Sequence, residues 1–156
     1  MTSLEPSKPY VKLDSEPNSP KAEDPIYIAA IDIGTNSTHL LVALINPDLN
    51  TFNVEIAEKS TTRLGEKDPH SGELTDKAIK RVMETLTRFK ELASSYKVKE
   101  ILIAATSAVR EAPNGEDLLL RIKQELNLSV DLISGTEEAR LIYLGVLSGM
   151  SFDNNP

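Results

Sequence analysis

The chain has 156 residues, 40% hydrophobic and 26% charged, with 24 acidic residues against 17 Lys and Arg, two histidines and no cysteine. That length supports one sizeable core in a single globular domain, and the lack of cysteine excludes a disulfide framework, a thiolate zinc site and a thiol nucleophile. The net charge of −7 argues against a nucleic-acid partner, and no apolar run reaches the ~18 residues of a membrane span or forms a signal core, so no membrane partner and a cytoplasmic location are expected.

Residues 1–25 hold five of the nine prolines (Pro6, Pro9, Pro17, Pro20 and Pro25) and no periodic apolar pattern, which predicts a disordered tail. From Ile26 the pattern changes. Ile26 to Ile33 is a nearly continuous apolar run, as expected of a central strand covered on both faces. Thr38 to Ile45 predicts a second strand. After the turn at Asn46 to Asn50, a third runs over Thr51 to Thr62, with Phe52, Val54 and Ile56 alternating with polar residues. These three suit an antiparallel meander.

Leu64 to Leu74, with Gly65, Pro69 and Gly72, reads as a loop, and Thr75 as the cap of a helix to about Ser95. Ile79, Val82, Met83, Leu86, Phe89 and Ala93 recur at helical spacing and form its buried stripe. A fourth strand is predicted over Glu100 to Thr106, then a loop through Pro113 and a helix capped near Asn114 that buries Leu118, Leu119, Ile122 and Leu126. Val130 to Ile133 is a fifth strand. Ser134 to Thr136 then turns into a last helix with Ala139, Ile142, Tyr143, Val146 and Leu147 on one face. The order βββαβαβα, with strand-helix-strand units, implies an α/β fold with a mixed sheet and right-handed parallel crossovers.

Three polar loops follow strands that should lie side by side, at the carboxyl ends where open α/β sheets bind ligands. In the first, Gly34 allows close backbone approach while Thr35, Asn36 and Ser37 offer donors to a phosphate, and Asp32 at the strand end suits a hydrated Mg²⁺ or a bound water. The structural alternative is a polar hairpin turn. In the second, Thr106 and Ser107 bring hydroxyls and Arg110 a guanidinium that can fork onto phosphate; the alternative is a surface Arg paired with Glu111 or Glu116. In the third, Thr136 is a candidate helix cap, with Glu137 and Glu138 complementing the helix dipole. A carboxylate there can also orient and deprotonate water. Glu138, one turn before Ile142, should lie nearer the inward face, and Glu137 should align with Leu141 and Leu144 on the outer side. His39 lies beside the first loop, where it either packs or takes part in chemistry, and His70 should be solvated in its loop. No set of His and carboxylates has the spacing of an all-protein metal site.

The segments Asp32-Ile-Gly-Thr-Asn-Ser-Thr-His-Leu-Leu-Val42, Ala105-Thr-Ser-Ala-Val-Arg-Glu-Ala-Pro-Asn-Gly115 and Ile133-Ser-Gly-Thr-Glu-Glu-Ala-Arg-Leu-Ile-Tyr-Leu-Gly-Val146 resemble the exopolyphosphatase/guanosine pentaphosphate phosphatase family. The resemblance spans about residues 26–150. It implies a ribonuclease-H-like domain of the actin-like ATPase superfamily, in which two such domains close on a phosphate chain. It further implies hydrolysis of the terminal phosphoanhydride of polyphosphate, or removal of the 5′ γ-phosphate of guanosine pentaphosphate, with Mg²⁺ or another divalent cation. By the same resemblance, Gly34, Thr35, Asn36, Ser37, Thr106, Ser107 and Arg110 bind phosphate, Asp32 and Glu138 bind metal, and Glu138 and Arg110 are catalytic. Water attacking in line would be positioned by Glu138, with Arg110 and loop N–H groups stabilising the transferred phosphoryl group.

The family's second phosphate loop, Asp-x-Gly-Gly-Gly-Ser, is missing. The expectation is therefore that residues 26–156 are the N-terminal domain of a longer enzyme, homodimeric at full length and weak or inactive as this chain alone. Apolar residues meant for the missing half should then be exposed. Two other readings are a non-catalytic module that binds a phosphate chain, and an ATPase or sugar kinase of the same superfamily.

Overall fold

The computed structural model describes residues 23–150; most of the expected disordered tail lies outside them. The elements are β1 (Ile26–Ile33), β2 (Ser37–Asn46), β3 (Thr51–Thr61), α1 (Asp76–Ser95), β4 (Glu100–Ala105), α2 (Ser107–Arg110), α3 (Gly115–Leu126), β5 (Asp131–Leu132) and α4 (Gly135–Met150). They form one five-stranded sheet in the order β3-β2-β1-β4-β5. β1, β2 and β3 are the expected antiparallel meander, and β4 and β5 join in parallel, so the sheet is mixed as predicted.

One face of the sheet carries the core. Ala29, Ile31 and Ile33 of β1, Leu40 and Val42 of β2, and Ile103 and Ala105 of β4 are buried with Val82, Leu86 and Phe89 of α1 and Leu118 and Ile122 of α3. Each large side chain buried here contributes about 1.5–3 kcal/mol. Thr75 caps α1 as predicted, its hydroxyl accepting from the Ala78 N–H at 3.2 Å. The other face departs from expectation. Ala30 and Asp32 of β1 and Leu102 of β4 are exposed, so the apolar run in β1 is covered on one side only.

Helix α4 is the second departure. Its predicted buried face is open to solvent: Ile142 and Tyr143 are each 62% exposed, and Leu141 and Leu144 are exposed as well. The physical reason is that α1 and α3 already fill the covered face of the sheet, while α4 stands over the open face, where the two enclose a cleft of about 690 Å³. Nothing is described of the Val146 and Leu147 side chains.

The capping residues also differ. The loop predicted through Pro113 begins with the helical turn α2, closed by Arg110 N–H to Thr106 O at 3.0 Å and Glu111 N–H to Ser107 O at 2.9 Å. Asn114 does not cap α3 with its side chain. It pins the loop before α1 instead, donating to Leu74 O at 3.0 Å and accepting from Leu74 N–H at 2.8 Å. Ser134, not Thr136, caps α4, its hydroxyl accepting from Glu137 N–H at 3.1 Å. β5 is also shorter than predicted, running over Asp131–Leu132 rather than Val130 to Ile133.

Gly115 opens α3 against the backbone of α2, where a Cβ would stand 2.0 Å from the Val109 carbonyl oxygen. Gly115→Ala therefore forces the two helices apart. It should lower unfolding free energy by about 1–3 kcal/mol, read as a fall in the urea midpoint with unchanged slope.

Candidate functional site

The first loop is a tight turn, closed by Gly34 N–H to Ser37 O at 3.0 Å; a Cβ on Gly34 would stand 2.9 Å from that same oxygen. Its outward carbonyls are already committed. Thr35 O accepts from Gly65 N–H at 2.8 Å, and Asn36 O accepts from Thr62 N–H at 3.1 Å and Arg63 N–H at 2.9 Å. Among the described residues, the Thr35 and Asn36 N–H groups meet no protein acceptor. Paired carbonyls beside unpaired N–H groups make a concavity suited to an anion. Below it, Thr38 and Thr62 join hydroxyls at 3.0 Å in the core, and Ser37 is buried at the start of β2.

The second loop touches the first directly, with the Thr35 and Ser107 hydroxyls 3.2 Å apart. Thr106 is buried at the end of β4. Arg110 ties the second loop to the third by donating from Nη1 to the Ile133 carbonyl at 2.7 Å, with a longer 3.9 Å approach to Glu111. Of the expected carboxylate partners, Glu111 is the one Arg110 approaches among the described residues, and the Ile133 carbonyl was not foreseen. A guanidinium has five N–H donors, so this tether leaves others for an anion.

Asp32 and His39 face each other across β1 and β2, and Ala104 flanks Asp32 on the other side. Partial desolvation by the cleft raises the Asp32 carboxyl above its ordinary value; His39 charge lowers it and the Glu138 carboxylate raises it. Asp32 and Glu138 are therefore within electrostatic reach. Glu137, expected on the outer side of α4, also lines the cleft. Its carboxylate is spent on Arg140, at 2.8 and 2.7 Å, and that hydrogen-bonded guanidinium holds it below the ordinary range. Glu138 has no ion pair among the described residues, which leaves it free to act.

No group of three or more ligating side chains forms a metal cage among the described residues. Asp32 and Glu138 both line the cleft, where their carboxylates repel. His70 is solvated, as expected, in its loop.

The sequence reading missed the clasp Thr62–Gly65. Gly65 is its key, since a Cβ there would come 2.5 Å from Thr35 Cγ2. Arg81 of α1 fixes the clasp from behind, through Nε to Thr62 O at 2.7 Å and Nη2 to Arg63 O at 3.3 Å. The one signal in the sequence is a glycine three residues past a strand that ends in Thr62, and it reads equally well as loop.

The profile of the Ppx/GppA phosphatase family matches residues 30–156. Exopolyphosphatase 1 of Mycobacterium tuberculosis is 33% identical over 119 residues, 76% of this chain and 34% of that protein. A bifunctional 3-dehydroquinate synthase/phosphatase of Fusobacterium nucleatum is 34% identical over 132 residues, 81% of this chain and 20% of that protein. Among solved structures, the Ppx/GppA family member of Aquifex aeolicus superposes with a TM-score of 0.74 at 32% identity, covering 79% of this chain and 40% of that one. An exopolyphosphatase from Cytophaga hutchinsonii gives 0.72 at 38% identity, covering 77% and 38%. The fold is thus the ribonuclease-H-like α/β fold of the actin-like ATPases, and the chain spans about a third of the length of the curated exopolyphosphatases it matches.

The raised carboxyl of Asp32 has a consequence for stability. A group whose pKa is higher in the folded state stabilises the fold below its unfolded value of about 3.9, and that stability is lost as pH rises through the folded value. Asp32→Asn should therefore melt at a higher temperature than the parent sequence at pH 7, and the advantage should vanish on acidification to about pH 3. Thermal melts of both chains at the two pH values check this.

Proposed function

Because the chain belongs to the Ppx/GppA phosphatase family, we propose that it forms the phosphate-binding, base-bearing wall of a phosphohydrolase that removes the terminal phosphate of inorganic polyphosphate. Guanosine pentaphosphate, losing its 5′ γ-phosphate, is the second substrate of the same chemistry, and a cytoplasmic homodimer of the longer parent protein belongs to this reading. The observation that supports it best is the convergence of the three loops, linked by the Thr35–Ser107 and Arg110–Ile133 hydrogen bonds.

The terminal phosphoryl group would rest on the free N–H groups of Thr35 and Asn36, beside the Thr35 and Ser107 hydroxyls. Arg110 keeps one N–H on Ile133 and turns the rest of its fork to the equatorial oxygens, where charge is greatest in the transition state. Glu138, without an ion pair among the described residues, orients water for in-line attack and takes its proton. Mg²⁺ or another divalent cation, held by Asp32 and Glu138, would offset negative charge on the phosphate chain.

In the full-length parent enzyme, Glu138→Gln should lower kcat by about 10²–10⁴-fold while binding of polyphosphate persists. An unchanged rate removes Glu138 from the mechanism. Arg110→Ala should raise KM and lower kcat together; a fall in thermal stability with unchanged kinetics would reduce Arg110 to a tether for Ile133.

A further inference from the structure

We propose that Arg63 is a binding residue for the phosphate chain, holding the phosphates next to the one seated on the first loop. The inference rests on the phosphohydrolase reading above and extends its site to the junction between the predicted third strand, ending at Thr62, and the predicted loop beginning at Leu64.

Arg63 is carried by a segment pinned on two sides. Its own N–H, with those of Thr62 and Gly65, is bonded to the carbonyls of Asn36 and Thr35 in the first phosphate loop. Its carbonyl and that of Thr62 are held by Arg81. The backbone at Arg63 is left-handed, with φ at 49°, a conformation that carries a penalty for a long side chain and that Gly or Asn would adopt more readily. The backbone cannot relax while both sides are pinned, so an exposed guanidinium is presented within one side chain's length of Asn36.

The charge balance leaves that guanidinium available. Glu66 is the nearest carboxylate to Arg63, at 3.6 Å, but its other oxygen takes a 2.8 Å hydrogen bond from Arg81. Arg81 is three-quarters buried, and Arg63 is 62% exposed. One acid thus serves two arginines, and the buried one has the stronger hold. A polyanion reaching the first loop meets the other held only by its longer 3.6 Å pair with Glu66, and planar guanidinium is well matched to phosphate oxygens.

The test uses the full-length parent enzyme, with Arg63→Gly, which suits the left-handed backbone, and Arg63→Lys, which keeps the charge. Arg121→Ala, on the outer surface of α3, is the control for general loss of positive charge. Arg63→Gly should raise KM for long-chain polyphosphate about tenfold or more, with kcat and inhibition by orthophosphate unchanged, and should flatten the dependence of KM on salt. Lys should restore part of the loss, and Arg121→Ala should do nothing. An unchanged KM in an active Arg63→Gly enzyme overturns the inference, as does an equal rise in Arg121→Ala. Equal loss of orthophosphate inhibition also overturns it, by moving Arg63 onto the reacting phosphoryl group. If the unsubstituted parent releases no phosphate from polyphosphate, the functional reading fails and this inference with it.

Discussion

The parallel pairing of β1 with β4 is the constraint on which the site depends. It aligns Ile33 with Ala105, so the chain leaves both strands at one level, and Gly34 and Thr106 emerge as neighbours. β5 extends the same edge through the Ala105–Leu132 pair and brings Ser134 and α4 into range. Pairing alone is worth little in water, because strand hydrogen bonds replace bonds to solvent. What holds β1 and β4 in register is the single apolar layer beneath them, where Ile31, Ile33 and Ile103 pack under α1 and α3.

Above that layer, position is set by close approaches made at glycine, to the Thr35 side chain and to the Val109 backbone. Gly65 closes on Thr35 and Gly115 on Val109, each at a distance that leaves no space for a methyl group. Both contacts brace segments that carry proposed phosphate ligands, the first loop and α2. Asn114 adds a third brace through Leu74. A binding site keeps its geometry only as well as its supports keep theirs, and here those supports are small residues and amide groups close to the loops they brace.

The sequence made much of the fold legible because periodicity reports burial. β1 to β3, α1 and α3 were placed within a residue or two, as their apolar patterns are long and bounded by turn residues. The errors share a cause: they lie where local pattern and tertiary context disagree. Asn114 has the right type and place for a helix cap, yet Leu74, forty residues back in the chain, takes both its side-chain hydrogen bonds. Ile142 and Tyr143 have core spacing without a core to enter. At the site, Glu138 could be told from Glu137 by helical phase, but for an incomplete reason. Both line the cleft, and the difference between them is Arg140, whose hydrogen bonds occupy Glu137. The clasp Thr62–Gly65 was hardly legible, because the bonds that join it to the first loop run between backbones and leave no pattern of side chains beyond a glycine that reads equally well as loop.

Charge decides how such a wall can meet its ligand. Asp32, Glu58, Asp131, Glu137 and Glu138 line the cleft under α4, with His39 beside them. A phosphate chain entering that cleft would meet like charge in a space of reduced dielectric, where repulsion is stronger than in water. The cleft is therefore a poor bed for the chain itself. Phosphate is better served one loop away, where the Thr35 and Asn36 N–H groups meet no acceptor among the described residues and where Arg63 and Arg110, neither of them lining the acidic cleft, follow later in the chain. On the proposed function, this division of charge would orient the ligand, with its reacting end toward Glu138 and the remaining phosphates toward the arginine on the clasp.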